Sequence, residues 1–404
     1  MKLLLVQKTV YHPTFGGANK SNRLLLEQLA ARGHRCCVVA PASGAQAAAQ
    51  GLPAANGTGP TYYFLNGVEV CSVTNPTRFR ETLVNQARDF DPDWVLVSSE
   101  DPGQYLLEAA LGAMPRRVVY LAHTTLALPF GPGAAMQSTR ATNLMRRAAA
   151  VVAVSDYLRD YIRRWGEMDA VTLPLALYGA GPFPNLGRFD AGRVTMINAC
   201  AVKGITIFLE LARRLPHLEF AAVASWGTTQ DDLARLNAVP NVRVLQPVED
   251  IAEIFAGTRV LVVPSLWAEA LGRVITEAML HGIPVLAADV GGTREAQLGV
   301  DYLLPVREIT AYERRVDARM MPVPVIPPQD VTPWVETLRR VTESRAEYER
   351  VAGESREAAL AYVARQSVSA LEDYLLAMSA DLPRAAAFEH LSRQPNKGAR
   401  SIIE

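Results

Sequence analysis

Short β-branched or leucine-rich runs alternate with amphipathic stretches twice over along this chain, and that alternation constrains the fold more than any other feature. The first series opens with Leu3 to Val6, a helical pattern from about Ala18 to Ala31, and Arg35 to Ala40. It continues through Trp94 to Ser98, Arg117 to Leu121 and Ala150 to Val154, the last followed by a helical pattern from Asp156 to Arg164. Strand, crossover helix and parallel strand is the arrangement that buries such runs on both faces of a sheet. The segment Tyr62 to Val73, with Asn66 and Gly67 at its centre, reads as a hairpin inserted in this series. Between Tyr178 and Asp190 the sequence YGAGPFPNLGRFD has no periodicity and reads as a connection between domains. A second series follows with Val194 to Ala199, Phe220 to Ala224, Val242 to Leu245, Val260 to Val263 and Pro284 to Ala287. A proline-rich loop is expected from Pro305 to Pro328, then helices from about Trp334 to His390, and a frayed polar tail from Ser392.

The expected class is therefore α/β: two Rossmann-like, doubly wound domains facing across a cleft, with C-terminal helices. The boundaries predicted are 1–185 for the first domain and 186–378 for the second, with a helix at about 380–395 packing back on the first and 392–404 as a flexible tail. A chain of 404 residues, 49% apolar and 20% charged, has the length and composition for two such cores. Its 41 basic and 41 acidic residues cancel, so no global field draws it to nucleic acid or to an anionic membrane. Met1 to Val6 is stopped at once by Gln7 and Lys8, and no run approaches the roughly eighteen apolar residues that span a bilayer. Cys36, Cys37, Cys71 and Cys200 have no zinc-site spacing and form no disulfide framework, which fits a reducing, cytoplasmic compartment.

Parallel sheets bind ligands beyond the carboxyl ends of their strands, so the chemistry is sought there. The richest stretch is VPSLWAEALGRVITEAMLHGIPVLAADVGGTRE at residues 263–295. A strand ends near Pro264, a loop carries Glu269, and Gly272 opens a helix whose free backbone N–H groups can receive phosphate oxygens. Glu277 lies about one and a half turns into that helix. Two carboxylates flanking a helix start can grip a polyhydroxylated ligand, one at a sugar and one at a ribose diol. On spacing alone the plainer reading is favoured, with Glu269 a solvated loop residue and Glu277 a surface one. Lysine is rare here, at only five positions (Lys2, Lys8, Lys20, Lys203, Lys397), so Lys203 ahead of an amphipathic helix stands out.

The spacing Glu269 to Glu277 within PSLWAEALGRVITEAMLHGIPVLAADVGGTRE resembles the signature of glycosyltransferase family four, retaining enzymes of the GT-B fold. The likeness extends to FGGANKSNRLLLEQLAARGH at 15–34, FDPDWVLVSS at 90–99, VVAVSDYLRDYI at 151–162 and PNVRVLQPVEDIAEIFAGTRVLVVPS at 240–265. It covers nearly the whole chain up to about Val306.

The resemblance implies a hexosyltransferase (EC 2.4) that takes a sugar from a nucleoside diphosphate, UDP-glucose being the commonest donor. It places Glu269 at the transferred sugar and Glu277 on the ribose hydroxyls. Backbone amides of Ala270, Leu271, Gly272, Arg273 and Val274 reach sugar and diphosphate, with Val248 a further donor contact. Gly16 and Gly17 match the family's glycine-rich loop, Lys203 the lysine that neutralises the leaving diphosphate, and His123 the histidine that hydrogen-bonds the donor sugar. The family usually has an arginine upstream of that lysine, where this chain reads INACAVKG with Asn198 near the place. Arg273, Arg193 or Asn198 itself is then left as the second phosphate contact. Glu295, after Gly291 and Gly292, reads either as a cleft carboxylate or as a partner for a helix N-terminus.

The implied mechanism is front-face attack with retention and without a metal. DFDPD at 89–93 precedes a strand at its amino end and reads as a helix-to-strand turn, not as a metal-binding motif. The apolar loop TTLALPFGPGAAM at 124–136, beside His123, suggests a hydrophobic small-molecule acceptor such as a secondary metabolite. A lipid or polysaccharide precursor is the alternative acceptor. The rival functions are a noncatalytic nucleotide-sugar-binding protein and a GT-B epimerase or phosphorylase. A dinucleotide-dependent dehydrogenase is disfavoured because no GxGxxG with a later acidic residue follows the first strand.

Overall fold

The computed structural model describes residues 1–14, 16–42, 59–317 and 322–380. The first series builds eight strands: β1 Lys2–Val6, β2 Arg35–Pro41, β3 Thr61–Leu65, β4 Val68–Val73, β5 Trp94–Ser98, β6 Val118–Ala122, β7 Ala150–Ala153 and β8 Val171–Thr172. Their order in the sheet is β3-β4-β2-β1-β5-β6-β7-β8, with only the β3–β4 pair antiparallel. Side chains alternate between faces along each strand, so Leu3 and Leu5 enter one core and Leu4 and Val6 the other. The Leu3 face packs on the helix Gly17–Ala31 through Leu25, Leu26 and Leu29. The Leu4 face packs on the helices Phe79–Phe90 and Tyr105–Ala113 through Leu83, Ala87 and Leu107. The β3–β4 turn is built by Asn66 (φ 48°) and Gly67 (φ 81°), the pair of left-handed residues a two-residue hairpin of this twist requires.

The second series gives β9 Arg193–Ile197, β10 Phe220–Val223, β11 Val242–Leu245, β12 Thr258–Val263, β13 Val285–Ala288 and β14 Leu303–Leu304. They form an all-parallel sheet in the order β11-β10-β9-β12-β13-β14. The fold is thus two Rossmann-like α/β sheets, as the alternation predicted. β8 and β14 are two residues each, too short to leave a periodic signal.

Three expectations are corrected. The proline-rich segment carries a small antiparallel ribbon, β15 Tyr312–Val316 with β16 Pro322–Pro324; a two-stranded ribbon has only edges, where proline is tolerated. The same segment is pinned to the second domain by Ile309 N–H to Leu266 O at 2.7 Å and by Trp334 Nε1–H to Pro305 O at 3.1 Å. The boundary at 378 is too late. The helices Thr332–Glu343 and Arg345–Ala364 pack on the second domain through Trp334, Leu338, Val341, Tyr348 and Ala359. The helix Ser369–Ala380 instead returns to the first sheet, where Leu371 and Leu375 join Leu3 and Leu5, and Trp94 Nε1–H donates to Leu375 O at 3.2 Å. The helix expected at about 380–395 and the tail at 392–404 lie outside the described residues, and the returning contact is made by Ser369–Ala380. The third correction concerns the 124–136 loop and is given with the site.

All four cysteines are buried and unpaired, and burial pushes the Cys36 thiol up to about 12 and those of Cys71 and Cys200 to about 11. DFDPD is a turn: Asp91 caps the helix Phe79–Phe90 in the left-handed region, and Asp93 accepts from the Lys2 backbone N–H at 2.7 Å. Among the described residues no helix is long and apolar enough to cross a membrane.

Candidate active site

The carboxyl ends of both sheets face each other, and the loop between β12 and the helix Arg273–Leu280 forms one lip. Its shape depends on glycines. A Cβ on Gly291 would lie 2.3 Å from Glu269 O and one on Gly292 2.3 Å from Ala270 O, so only bare backbone can run beneath the Glu269–Gly272 loop. The Gly292 N–H then donates to Glu269 O at 2.7 Å. Gly272 (φ 86°) is the residue preceding the helix and offers no side-chain cap, leaving first-turn N–H groups for a ligand.

Lys203 ends the short turn Ala201–Lys203 ahead of the helix Ile205–Arg214. A Cβ on Gly204 (φ 82°) would collide with Pro264 O at 1.8 Å, so glycine there lets the turn press against the Glu269 loop. Lys203 Nζ pairs with Glu269 Oε1, which also accepts from Ser265 Oγ at 2.6 Å. The same ammonium lies 4.7 Å from the centroid of the Trp267 ring. Burial pushes the Glu269 carboxyl up, but the Lys203 charge and the Lys203 and Ser265 hydrogen bonds outweigh it, holding the group below the ordinary carboxylate range. Glu269 is thus a buried, ionised carboxylate and not a solvated loop residue.

Glu277 is likewise no surface residue. Its Oε1 accepts from Arg273 Nε at 3.0 Å and from Lys20 Nζ of the first domain at 3.1 Å. Burial raises its pKa, and Arg273 and Lys20 more than reverse this, so it too is held below the ordinary range. Arg273 continues across the cleft, donating from Nη1 to Ser21 Oγ at 3.2 Å and lying 4.6 Å over the ring of Tyr178. Its Nη2 is buried without a hydrogen-bond partner.

The structure removes one of the three candidates for the second phosphate contact, Arg193. Arg193 is at the amino end of β9, the far edge of the sheet, and pairs with Glu219 at 3.4 Å. Arg273 is committed to Glu277 and Ser21 through Nε and Nη1 and keeps only Nη2 uncommitted. Asn198, at the carboxyl end of β9 in the left-handed region (φ 58°), accepts from Gly227 N–H at 3.0 Å through Oδ1, while its buried Nδ2 has no partner. Asn198 therefore keeps an uncommitted N–H.

The opposing lip belongs to the first domain. Gly16 lies against Trp226, and Gly17 against Arg273, each at 3.7 Å from a built Cβ. His123 follows β6, and its Nε2 is 3.0 Å from Asn22 Oδ1. Burial and the Arg273 charge push the imidazole down to about 4, so it is neutral at pH 7. Val248 is half-buried in the turn after β11, next to Glu249, whose carboxylate takes Arg23 at 2.6 Å across the cleft. Ala270, Leu271 and Val274 flank Gly272, Ala270 O accepting from Ser155 Oγ of the first domain.

The 124–136 loop is the third correction. Leu126, Ala127, Leu128 and Phe130 are buried, with Leu128 and Phe130 in the first-domain core, so these side chains offer no acceptor surface and Met136 is the loop's exposed large apolar side chain. An apolar run in a loop is a core signal as readily as a ligand signal.

Sequence reasoning missed Lys20, Ser21, Asn22, Ser265 and Tyr178 as parts of the site. Lys20 carried one available signal, lysine's rarity. Glu295 resolves as a helix N-terminus partner, and the helix belongs to the other domain: its carboxylate accepts from Asp156 N–H at 2.9 Å and Tyr157 N–H at 2.6 Å, the first turn of Asp156–Gly166. Glu295→Gln is expected to lower stability by about 1 kcal/mol, seen as a lower Tm together with a larger radius of gyration in solution scattering. An unchanged radius would show that this cap does not hold the domains together.

Family models match the chain in two blocks, one for each sheet: Glycosyltransferase Family 4 over residues 15–174 and Glycosyl transferases group 1 over residues 191–319. A search of curated proteins gives no match. Among solved structures, sucrose-phosphate synthase from Thermosynechococcus elongatus superimposes with a TM-score of 0.68 at 17% identity, covering 93% of this chain and 99% of that one. HepE from Anabaena, in complex with UDP and glucose, gives 0.63 at 19% identity, covering 95% and 100%. WaaG, a glycosyltransferase involved in lipopolysaccharide biosynthesis, gives 0.61 at 15% identity, covering 94% and 99%. At these identities the structures establish the shared GT-B architecture. Sheet topology, the paired carboxylates on either side of an open helix start and the two matching family models agree, and the chain belongs to glycosyltransferase family four.

Proposed function

We propose that the protein transfers a hexose from a nucleoside diphosphate sugar, with UDP-glucose the first candidate, to a hydroxyl of an acceptor, with retention and without a metal. The observation that carries this is the Lys203–Glu269 pair set against the uncapped helix start at Gly272. Two buried nitrogens without partners, Asn198 Nδ2 and Arg273 Nη2, add donors that an anionic or hydroxylated ligand would satisfy. HepE, of the same architecture, is in complex with UDP and glucose, and a nucleoside diphosphate is the kind of anion these donors suit.

In this reading Lys203 and the first-turn amides after Gly272 stabilise the charge that builds on the departing diphosphate. Glu269 holds the transferred sugar through its hydroxyls, and Glu277 exchanges Lys20 for the ribose diol. The acceptor hydroxyl approaches on the leaving-group side, and the diphosphate oxygen takes its proton, so no protein carboxylate needs to serve as nucleophile. Gly16 and Gly17 close over the donor and, with Trp226, keep water out.

The test is a mass-spectrometric screen with UDP-, GDP-, ADP- and TDP-sugars, run beside Glu269→Ala and Lys203→Ala. Release of nucleoside diphosphate that depends on both residues is the expected result. Turnover that survives both substitutions would end this assignment of the site. Asn198→Arg, which adds a charge at the place where the family carries one, is expected to lower KM for the donor several-fold, net of about 1 kcal/mol for the left-handed backbone.

A further inference from the structure

The tautomer of His123 is determined by a buried hydrogen-bond relay that begins at two backbone carbonyls. Gln7 Nε2 donates to Thr9 O at 2.9 Å and to Val10 O at 3.3 Å, and carbonyls can only accept. That fixes the Gln7 amide, so Oε1 faces Asn22. Asn22 must answer with its nitrogen, and Nδ2 donates to Gln7 Oε1 at 3.1 Å and to Ser98 Oγ at 2.8 Å. Ser98 in turn donates to a Glu100 oxygen, which leaves its lone pair for Asn22 and orients the amide the same way from a second side. Asn22 Oδ1 is then the group that meets His123 Nε2, at 3.0 Å. An amide oxygen accepts, so the proton sits on Nε2. Gln7 and Asn22 are both fully buried, so water does not compete for these bonds.

We infer that Gln7 and Asn22 are positioning residues that lock His123 as the Nε2–H tautomer, presenting the Nδ1 lone pair to the cleft, and that the sugar group received there is a hydroxyl. Nδ1 has no hydrogen-bond partner among the described residues. A bare lone pair accepts from O–H and repels a carboxylate. The site therefore selects a neutral hexose and rejects a hexuronate whose carboxylate takes that place. This specificity rests on the proposed reading of the cleft as the donor site, whereas the lock does not depend on it. The relay leaves no proton on Nδ1 to donate, which separates this histidine from one that would serve as a general acid.

Two measurements test it. Nitrogen-15 spectra of histidine-labelled protein at neutral pH, with His123 assigned by loss of its signals in His123→Gln, are expected to show a neutral ring protonated on Nε2. A ring protonated on Nδ1, or on both nitrogens, overturns the inference whether or not any donor has been found. Gln7→Met is expected to give mixed tautomers and a kcat/KM about tenfold lower; if it does not fold, the wild-type spectrum still decides. In the second measurement, kcat/KM for UDP-glucose is expected to exceed that for UDP-glucuronate by about 10- to 100-fold. Equal use of both donors overturns the specificity. If neither is used, the same comparison is made on the base that the donor screen identifies; if no nucleoside diphosphate sugar is used while the Nε2–H ring is observed, the donor reading has failed and the lock stands.

Discussion

Lys203→Met is expected to lower kcat at saturating donor by about 100- to 1,000-fold, the range associated with losing one group that stabilises developing charge. The ammonium is held in place by Glu269 and by the Trp267 ring, so little reorganisation is needed when the diphosphate departs. The substitution has a second effect, through Glu269. In the native cleft this carboxylate is buried and held below the ordinary range, so its contribution to stability is fully present above the unfolded pKa of about 4.3 and is lost as pH falls through the lower folded value.

Without Lys203 the sign inverts. Burial, the largest effect on Glu269, still raises its pKa and only the smaller effects of Ser265 and Trp267 oppose it, so the folded protein is expected to bind a proton more readily than the unfolded chain. Stability of the variant then falls as pH rises through the carboxylate range, and melting followed between about pH 4 and pH 7 should show that trend. A profile parallel to wild type would mean that the lysine does not set the ionisation of Glu269. Lys203→Arg separates charge from shape, since a planar fork cannot reproduce a point charge seated over an indole; partial recovery of kcat is expected.

Arg273→Met is expected to be the most destabilising single change at the cleft, by about 3–5 kcal/mol, the cost of removing one partner of a buried ion pair. The side chains of Arg273 and Glu277 are 7% and 13% exposed. The substitution breaks three attachments at once: Glu277 on its own helix, Ser21 in the first domain and the ring of Tyr178 in the connection. For a chain of this size the loss corresponds to a Tm lower by roughly 4–6 °C, with a larger radius of gyration if closure relaxes. Lys20→Met, whose lysine side chain is 31% exposed, should cost far less because solvent screens that pair. Equal losses in the two variants would show that the clamp is centred on Glu277 rather than on Arg273. The acid limit follows the same linkage: Glu277, like Glu269, is held low by cations, so its stabilisation disappears as pH drops below the carboxylate range.

The sequence by itself determined what depends on near neighbours. Apolar runs of strand length and helical periodicity set both sheets, and Asn66–Gly67 set the hairpin turn, because each signal is local to a few residues. The helix opened by Gly272 was legible for the same reason, as was Lys203 through the scarcity of its type. Assigning Glu269 and Glu277 to the cleft required the family resemblance, since their spacing alone favours two solvent-facing residues.

Tertiary structure decided which partners meet. Lys20 with Glu277, Arg273 with Ser21 and Glu295 with the Asp156 N–H join residues more than a hundred positions apart, and their pairing is set by how the two sheets are placed. The exclusion of Arg193 depended on which end of β9 it occupies relative to the cleft. The return of Ser369–Ala380 to the first sheet depended on an apolar face whose destination no periodicity encodes. The proton on His123 was least legible of all, because it is fixed by the directions of amides that only the folded chain brings together.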